Sequence, residues 1–155
     1  MDVKTILWPT DLSDNSLQAG KHVVSLAEKY QAEVILMYVS VDLCAFFPAF
    51  GNYPSVEHLN NFRDWEIEKA RKLLEQICDE ELKSCPFLRL KLVIGDPSIQ
   101  ILDMAEKENA DLIVLTSQGS GQDGKKYDGL GHVADNVVRS SPIPVHMINP
   151  LNEQK

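Results

Sequence analysis

Five of the eight glycines in the chain fall between positions 119 and 131. The segment Thr116-Ser117-Gln118-Gly119-Ser120-Gly121, continued by Gly124, Gly129 and Gly131, sets small residues among hydroxyls. Glycine lets a backbone approach a ligand closely and turn successive N–H groups towards an anion. A helical pattern starts near Leu130, and a helix N-terminus is positive, so the chemistry on offer is phosphate binding. The same composition also describes a plain flexible surface loop. A second polar segment, Pro9-Thr10-Asp11-Leu12-Ser13, follows the first apolar run. Thr10, Asp11 and Ser13 are residues that line a ligand crevice or, equally, make a turn and cap a helix.

Other chemistries find less support. Gly119 to Lys125 matches the first seven positions of G-x-x-x-x-G-K, but Lys126 stands where that motif needs a metal-binding hydroxyl. The segment also follows the fourth strand rather than the first, so the match is read as coincidence. His22, His58, His132 and His146 lie on different elements without ligand spacing, and no shared metal site is expected. Cys44, Cys78 and Cys85 form no CxxC pair and are read as packing residues. No GxSxG elbow is present, and no Ser-His-Asp or Cys-His arrangement can be argued. A phosphoacceptor site of the two-component type would need paired acids after the first strand. The chain has only Asp11 there, and Asp96 is better explained as a helix cap.

The elements that must position these residues follow from hydrophobic period. Val3–Trp8 is an apolar run closed by Pro9. Helical spacing then runs from Ser13, an N-cap, to Tyr30 through Leu17, Gly20, Val24 and Ala27. Val34–Val39 is a second strand. Val41–Glu57 is irregular, broken by Pro48, Gly51 and Pro54; its Phe46, Phe47, Phe50 and Tyr53 are expected to pack rather than to form a lid. A long amphipathic pattern from His58 to Ser84 is closed by Pro86. Phe87–Val93 is a third strand. Asp96 caps a helix to Asn109 with Pro97 at its first position. Asp111–Thr116, Leu130–Ser140 and Val145–Ile148 complete the alternation as strand, helix and strand. Strands apolar on both faces alternating with helices predict an open parallel α/β sheet with helices on both sides. Ligands of such sheets sit beyond the carboxyl ends of the strands, where strand order reverses.

Size and charge bound the rest. At 155 residues the chain is expected to form a single domain over 1–150 with a short tail at 151–155. A net charge of −8 argues against nucleic acid and against an anionic membrane surface. Thr116 to Arg139 is nevertheless neutral, with Asp123, Asp128 and Asp135 against Lys125, Lys126 and Arg139, so a small polyanion remains compatible. No run approaches the ~20 residues of a spanning helix. Met1-Asp2-Val3-Lys4 shows no basic leader with a long apolar core, so no secretory signal is expected, and a cytoplasmic protein with reduced thiols is expected.

In order and spacing, the chain resembles a universal stress protein. The likeness is carried by Ile6-Leu7-Trp8-Pro9-Thr10-Asp11-Leu12-Ser13, Gly95-Asp96-Pro97, Ala110-Asp111-Leu112-Ile113-Val114, Leu130-Gly131-His132-Val133-Ala134-Asp135-Asn136-Val137-Val138 and Pro142-Ile143-Pro144-Val145. The resemblance implies a Rossmann-like sheet of five parallel strands ordered 3-2-1-4-5. Many members of that family bind ATP through Gly, two residues, Gly, nine residues, then Gly with Ser or Thr. Here Thr116 replaces the first Gly, Ser120–Leu130 spans 11 residues, and His132 stands at the hydroxyl position. Thr116 adds a side chain where backbone approach is expected. His132 offers a ring nitrogen whose protonated form a phosphate would favour, or it blocks the site.

By the same resemblance, ATP, with or without Mg2+, would meet Pro9, Thr10 and Asp11 after the first strand, with Asp11 on the ribose or adenine side. Val39 would present its backbone to the adenine edge. Gly119, Ser120, Gly131, His132 and Val133 would line the phosphates, with Thr116 at the ribose or phosphates. The implied role is a binding switch with at most slow hydrolysis, since no general base is evident. The alternative is a stress protein that binds no ATP and acts through dimer and partner-protein contacts. Strand Val145–Ile148 would be a sheet edge, and the resemblance implies that a second copy pairs with it to form a homodimer.

Overall fold

The computed structural model describes residues 1–42, 55–118 and 130–150. Five parallel strands, β1 (Thr5–Thr10), β2 (Glu33–Ser40), β3 (Phe87–Ile94), β4 (Leu112–Thr116) and β5 (Val145–Ile148), form one sheet ordered β3-β2-β1-β4-β5. This is the α/β Rossmann-like arrangement expected from the sequence. The helices are α1 (Asp14–Leu17), α2 (Gly20–Tyr30), α3 (Val56–Glu80), α4 (Pro97–Lys107) and α5 (His132–Ser140).

Two apolar layers hold the sheet, and alternation along each strand decides which layer a residue joins. Ile6, Trp8, Val34, Leu36 and Val114 face Val23 and Ala27 of α2 and Leu74 and Ile77 of α3. Leu7, Ile35, Met37, Ile113 and Leu115 face Ile101, Met104 and Ala105 of α4 and Val137 of α5. Residues on both faces of the central strands are therefore buried. Removing one of these side chains costs about 2–5 kcal/mol.

Two boundaries differ from expectation in ways that matter. The expected helix over 13–30 is broken into α1 and α2. Gln18 N–H donates to Asn15 O and Ala19 N–H to Ser16 O, so the chain tightens to three-residue spacing there. Gly20 then lies against Trp8 and the Glu81 carboxylate, where an added Cβ would stand 2.5 Å from Glu81 Oε2. Second, Pro9 does not end β1. The β1–β2 ladder continues through Pro9↔Met37 and Thr10↔Tyr38, whereas β1 and β4 pair only at Ile6↔Leu112 and Leu7↔Ile113. Proline has no N–H to donate, and the ladder towards β4 is not renewed beyond it. β1 and β4 thus separate at their carboxyl ends, at the reversal of strand order.

Candidate nucleotide site

A cavity of about 860 Å3 opens where β1 and β4 part. That volume lies within the ~300–1,000 Å3 range of small-molecule sites. Its lining includes Pro9, Thr10, Asp11, Val39, Thr116, Gly131, His132 and Val133, so the topology brings together residues from four separate parts of the sequence. Gly119 and Ser120 lie outside the described residues, as does the Gly119–Lys125 match.

The segment after β1 is a chain of short hydrogen bonds. Thr10 Oγ1 accepts from Leu12 N–H at 3.1 Å and from Ser16 Oγ at 2.9 Å. Asp11 Oδ1 accepts from the Ser13 backbone N–H at 3.0 Å and from the Ser13 hydroxyl. Ser13 Oγ in turn caps α1 by accepting from Ser16 N–H at 3.2 Å. Leu12 takes a left-handed φ of 64° at the tip of this turn. Asp11 therefore makes the turn and also faces the cavity; the two readings of this residue are compatible.

The opposite wall belongs to β4 and α5. Thr116 Oγ1 donates to Gln118 O at 3.0 Å, so its hydroxyl is turned onto its own loop. Gly131 N–H donates to Ser117 O at 2.7 Å, and a Cβ on Gly131 would stand 3.3 Å from that oxygen. Glycine is what lets α5 begin this close to the end of β4. Side chains cap α1 (Ser13), α3 (Ser55) and α4 (Asp96); none caps α2, whose N-cap is Ala19, or α5, whose N-cap is Gly131. Gly131 N–H is taken by Ser117 O, so the N–H groups of His132, Val133 and Ala134 are the donors at the start of α5, on the cavity wall. Backbone donors at a helix start attract anions.

Residues not named as ligand contacts in the sequence complete the lining: Ser16, Tyr38, Val41, Glu66, Pro97, Ile101, Leu115, Ser117, Leu130, Ala134 and Asp135. Burial raises the Tyr38 phenol pKa above its ordinary value, and the Glu66 and Asp11 carboxylates raise it further. Asp11 and Glu66 thus gather on the β1–β2 side, while the uncapped helix start lies on the β4 side, where Asp135 is paired with Arg139. Tyr38 sits at an alternating strand position and Glu66 on a long charged helix, so neither carries a local sequence signal.

Elsewhere, His22 and His146 come together, with ring centroids 5.9 Å apart, though they are 124 positions apart in the chain. No group of three or more His, Cys, Asp or Glu able to hold a metal occurs among the described residues. No helix among them is long and apolar enough to cross a membrane.

The universal stress protein family model matches residues 2–149. The chain belongs to the universal stress protein family. Universal stress protein MJ0531 of Methanocaldococcus jannaschii is 33% identical, with 94% of this chain and 81% of the relative covered. The solved structure of MJ0577, from the same organism, superposes with a TM-score of 0.81 at 29% identity, covering 96% of this chain and 97% of that one. Two more distant structures share the fold and are described as nucleotide complexes. A universal stress protein in complex with cAMP has a TM-score of 0.68 at 20% identity, covering 97% and 99% of the two chains. One from Archaeoglobus fulgidus in complex with dAMP has a TM-score of 0.65 at 18% identity, covering 96% and 100%.

Proposed function

We propose that this universal stress protein binds an adenine nucleotide, ATP with or without Mg2+, and acts as a regulatory binding switch. The observation that carries the proposal is the uncapped N-terminus of α5 opening on a cavity of about 860 Å3 at the β1–β4 split. Fold neighbours described as cAMP and dAMP complexes support the same class of ligand. In this reading Pro9, Thr10 and Asp11 take the ribose side, and the Val39 backbone meets the adenine edge. Gly119, Ser120, Gly131, His132 and Val133 surround the phosphates, with Thr116 at the ribose or phosphates. The gathering of Asp11 and Glu66 on the β1–β2 side favours placing the uncharged nucleoside there and the phosphates at α5.

Mass spectrometry of the purified protein for co-purified nucleotide, then calorimetry with ATP and magnesium, tests the proposal. Heat saturating at or below millimolar ATP is expected. No bound nucleotide and no heat would move the function to partner-protein contacts alone. The proposal extends to a cytoplasmic homodimer paired through β5, which stands at the sheet edge and, among the described residues, pairs with β4 alone. A monomer mass independent of concentration in sedimentation would refute the dimer.

A further inference from the structure

His132 stands where the family motif has a hydroxyl, and its ring does not stand alone. Asn136 follows one turn later on the same face of α5. The Asn136 amide nitrogen lies 3.3 Å from His132 Nε2 and 3.3 Å from Ser98 Oγ. Ser98 is buried, 7% exposed, in the first turn of α4, whose start is fixed by the Asp96 cap on Ile99 N–H at 3.1 Å. An amide nitrogen carries two hydrogens and no acceptor. Donating to both neighbours, it requires an unprotonated Nε2 on His132. A neutral imidazole then carries its proton on Nδ1.

We propose that Asn136 is a positioning residue that holds His132 in the Nδ1–H form, so that His132 donates Nδ1–H to the ligand phosphates in place of the family hydroxyl. The inference rests on the nucleotide reading of the cavity. The carboxylates around the cavity are Asp11 on the β1 turn, Glu66 on α3 and Asp135 on α5. Asp135 is held by Arg139 at 2.9 Å. On α4, Asp96 is engaged as the cap and Ser98 faces Asn136.

Long-range proton–nitrogen NMR on protein labelled with nitrogen-15 histidine reads the tautomer directly, and His132→Ser assigns the signal by deleting it. The free protein should show His132 with its proton on Nδ1. Asn136→Leu should release the proton to Nε2, and Asn136→Asp should hold Nε2–H through its carboxylate. On adding ATP, Nδ1 of His132 should be the nitrogen perturbed. Calorimetry with ATP should show affinity about tenfold lower in Asn136→Leu, the worth of one charge-assisted hydrogen bond.

An Nε2–H ring in the free protein, or an unchanged tautomer in Asn136→Leu, overturns the inference. So does an unchanged ATP affinity in Asn136→Leu. Absence of ATP binding overturns the nucleotide reading and the phosphate role with it, while the tautomer is still decided by the spectra of the free protein.

Discussion

At the amino-terminal end of the sheet, charges close on one another. Arg89 on β3 donates to both oxygens of Glu33 on β2, at 2.6 and 2.8 Å, and to Glu108 after α4 at 2.7 Å. Lys91 reaches the other Glu108 oxygen at 3.0 Å. Asp111 Oδ2 accepts from the N–H groups of Lys4 and Thr5 at 2.8 and 3.0 Å, tying the entry of β4 to that of β1. At the carboxyl-terminal end, polar groups make short turns within their own loops, and the strands part around open volume. The contrast separates what holds this protein together from what it offers to a ligand. An ion network spends its charges on itself, whereas an uncapped helix start keeps its donors for something else.

Substitutions at the two ends should therefore fail in different assays. The largest effect is expected at the amino end. Asp111→Ala leaves two backbone donors without their carboxylate and should cost about 2 kcal/mol in urea unfolding, with ATP affinity unchanged. A loss of affinity there would break the division between ends. At the carboxyl end, Gly131→Val places side-chain atoms against Ser117 O. It should lower ATP affinity tenfold or more, about 1.4 kcal/mol, while the protein still folds. Asp11→Ala should weaken ATP binding by less and also loosen the Leu12 turn, so both calorimetry and amide exchange at Ser13 should change.

Acid sharpens the comparison further. Lys91, and then Arg89, hold the Glu108 carboxyl below its ordinary range. A depressed carboxylate stabilises the fold above its unfolded pKa of about 4.5, and that stability is lost as pH falls through the lower folded value. Glu108→Gln should flatten that acid limb in pH-dependent unfolding. The smallest expected effect is spectroscopic. Glu66→Gln removes one of the charges that raise Tyr38, so the phenol absorbance should titrate at lower pH in the variant. An unmoved titration would place Glu66 too far from Tyr38 to shape that side of the cavity.

How much of this was legible before folding differs by element. The five strands and their order of appearance could be read because each is a short apolar run between helical patterns. The family likeness also supplied the sheet order. The break in the first helix could not be read, because Leu17, Gly20, Val24 and Ala27 keep helical spacing across it. The folded chain breaks the helix at Gln18 and Ala19, whose N–H groups turn back to Asn15 and Ser16, and Gly20 then packs on Trp8 and Glu81. Thr116 is legible in the sequence only as an added side chain; in the fold its hydroxyl is turned onto Gln118 O.

By itself, the sequence determined the alternating α/β pattern and the two polar segments that end strands one and four. Hydrophobic period and turn residues are local properties, readable within a few positions. Tertiary structure alone decided that Tyr38 and Glu66 share a wall with Asp11, and that Ser98, Asn136 and His132 form one chain of contacts. It also decided that β1 and β4 part beyond Leu7↔Ile113. Those facts depend on distances between residues far apart in the chain, and parallel strands joined by helices bring such residues together only when the whole sheet forms.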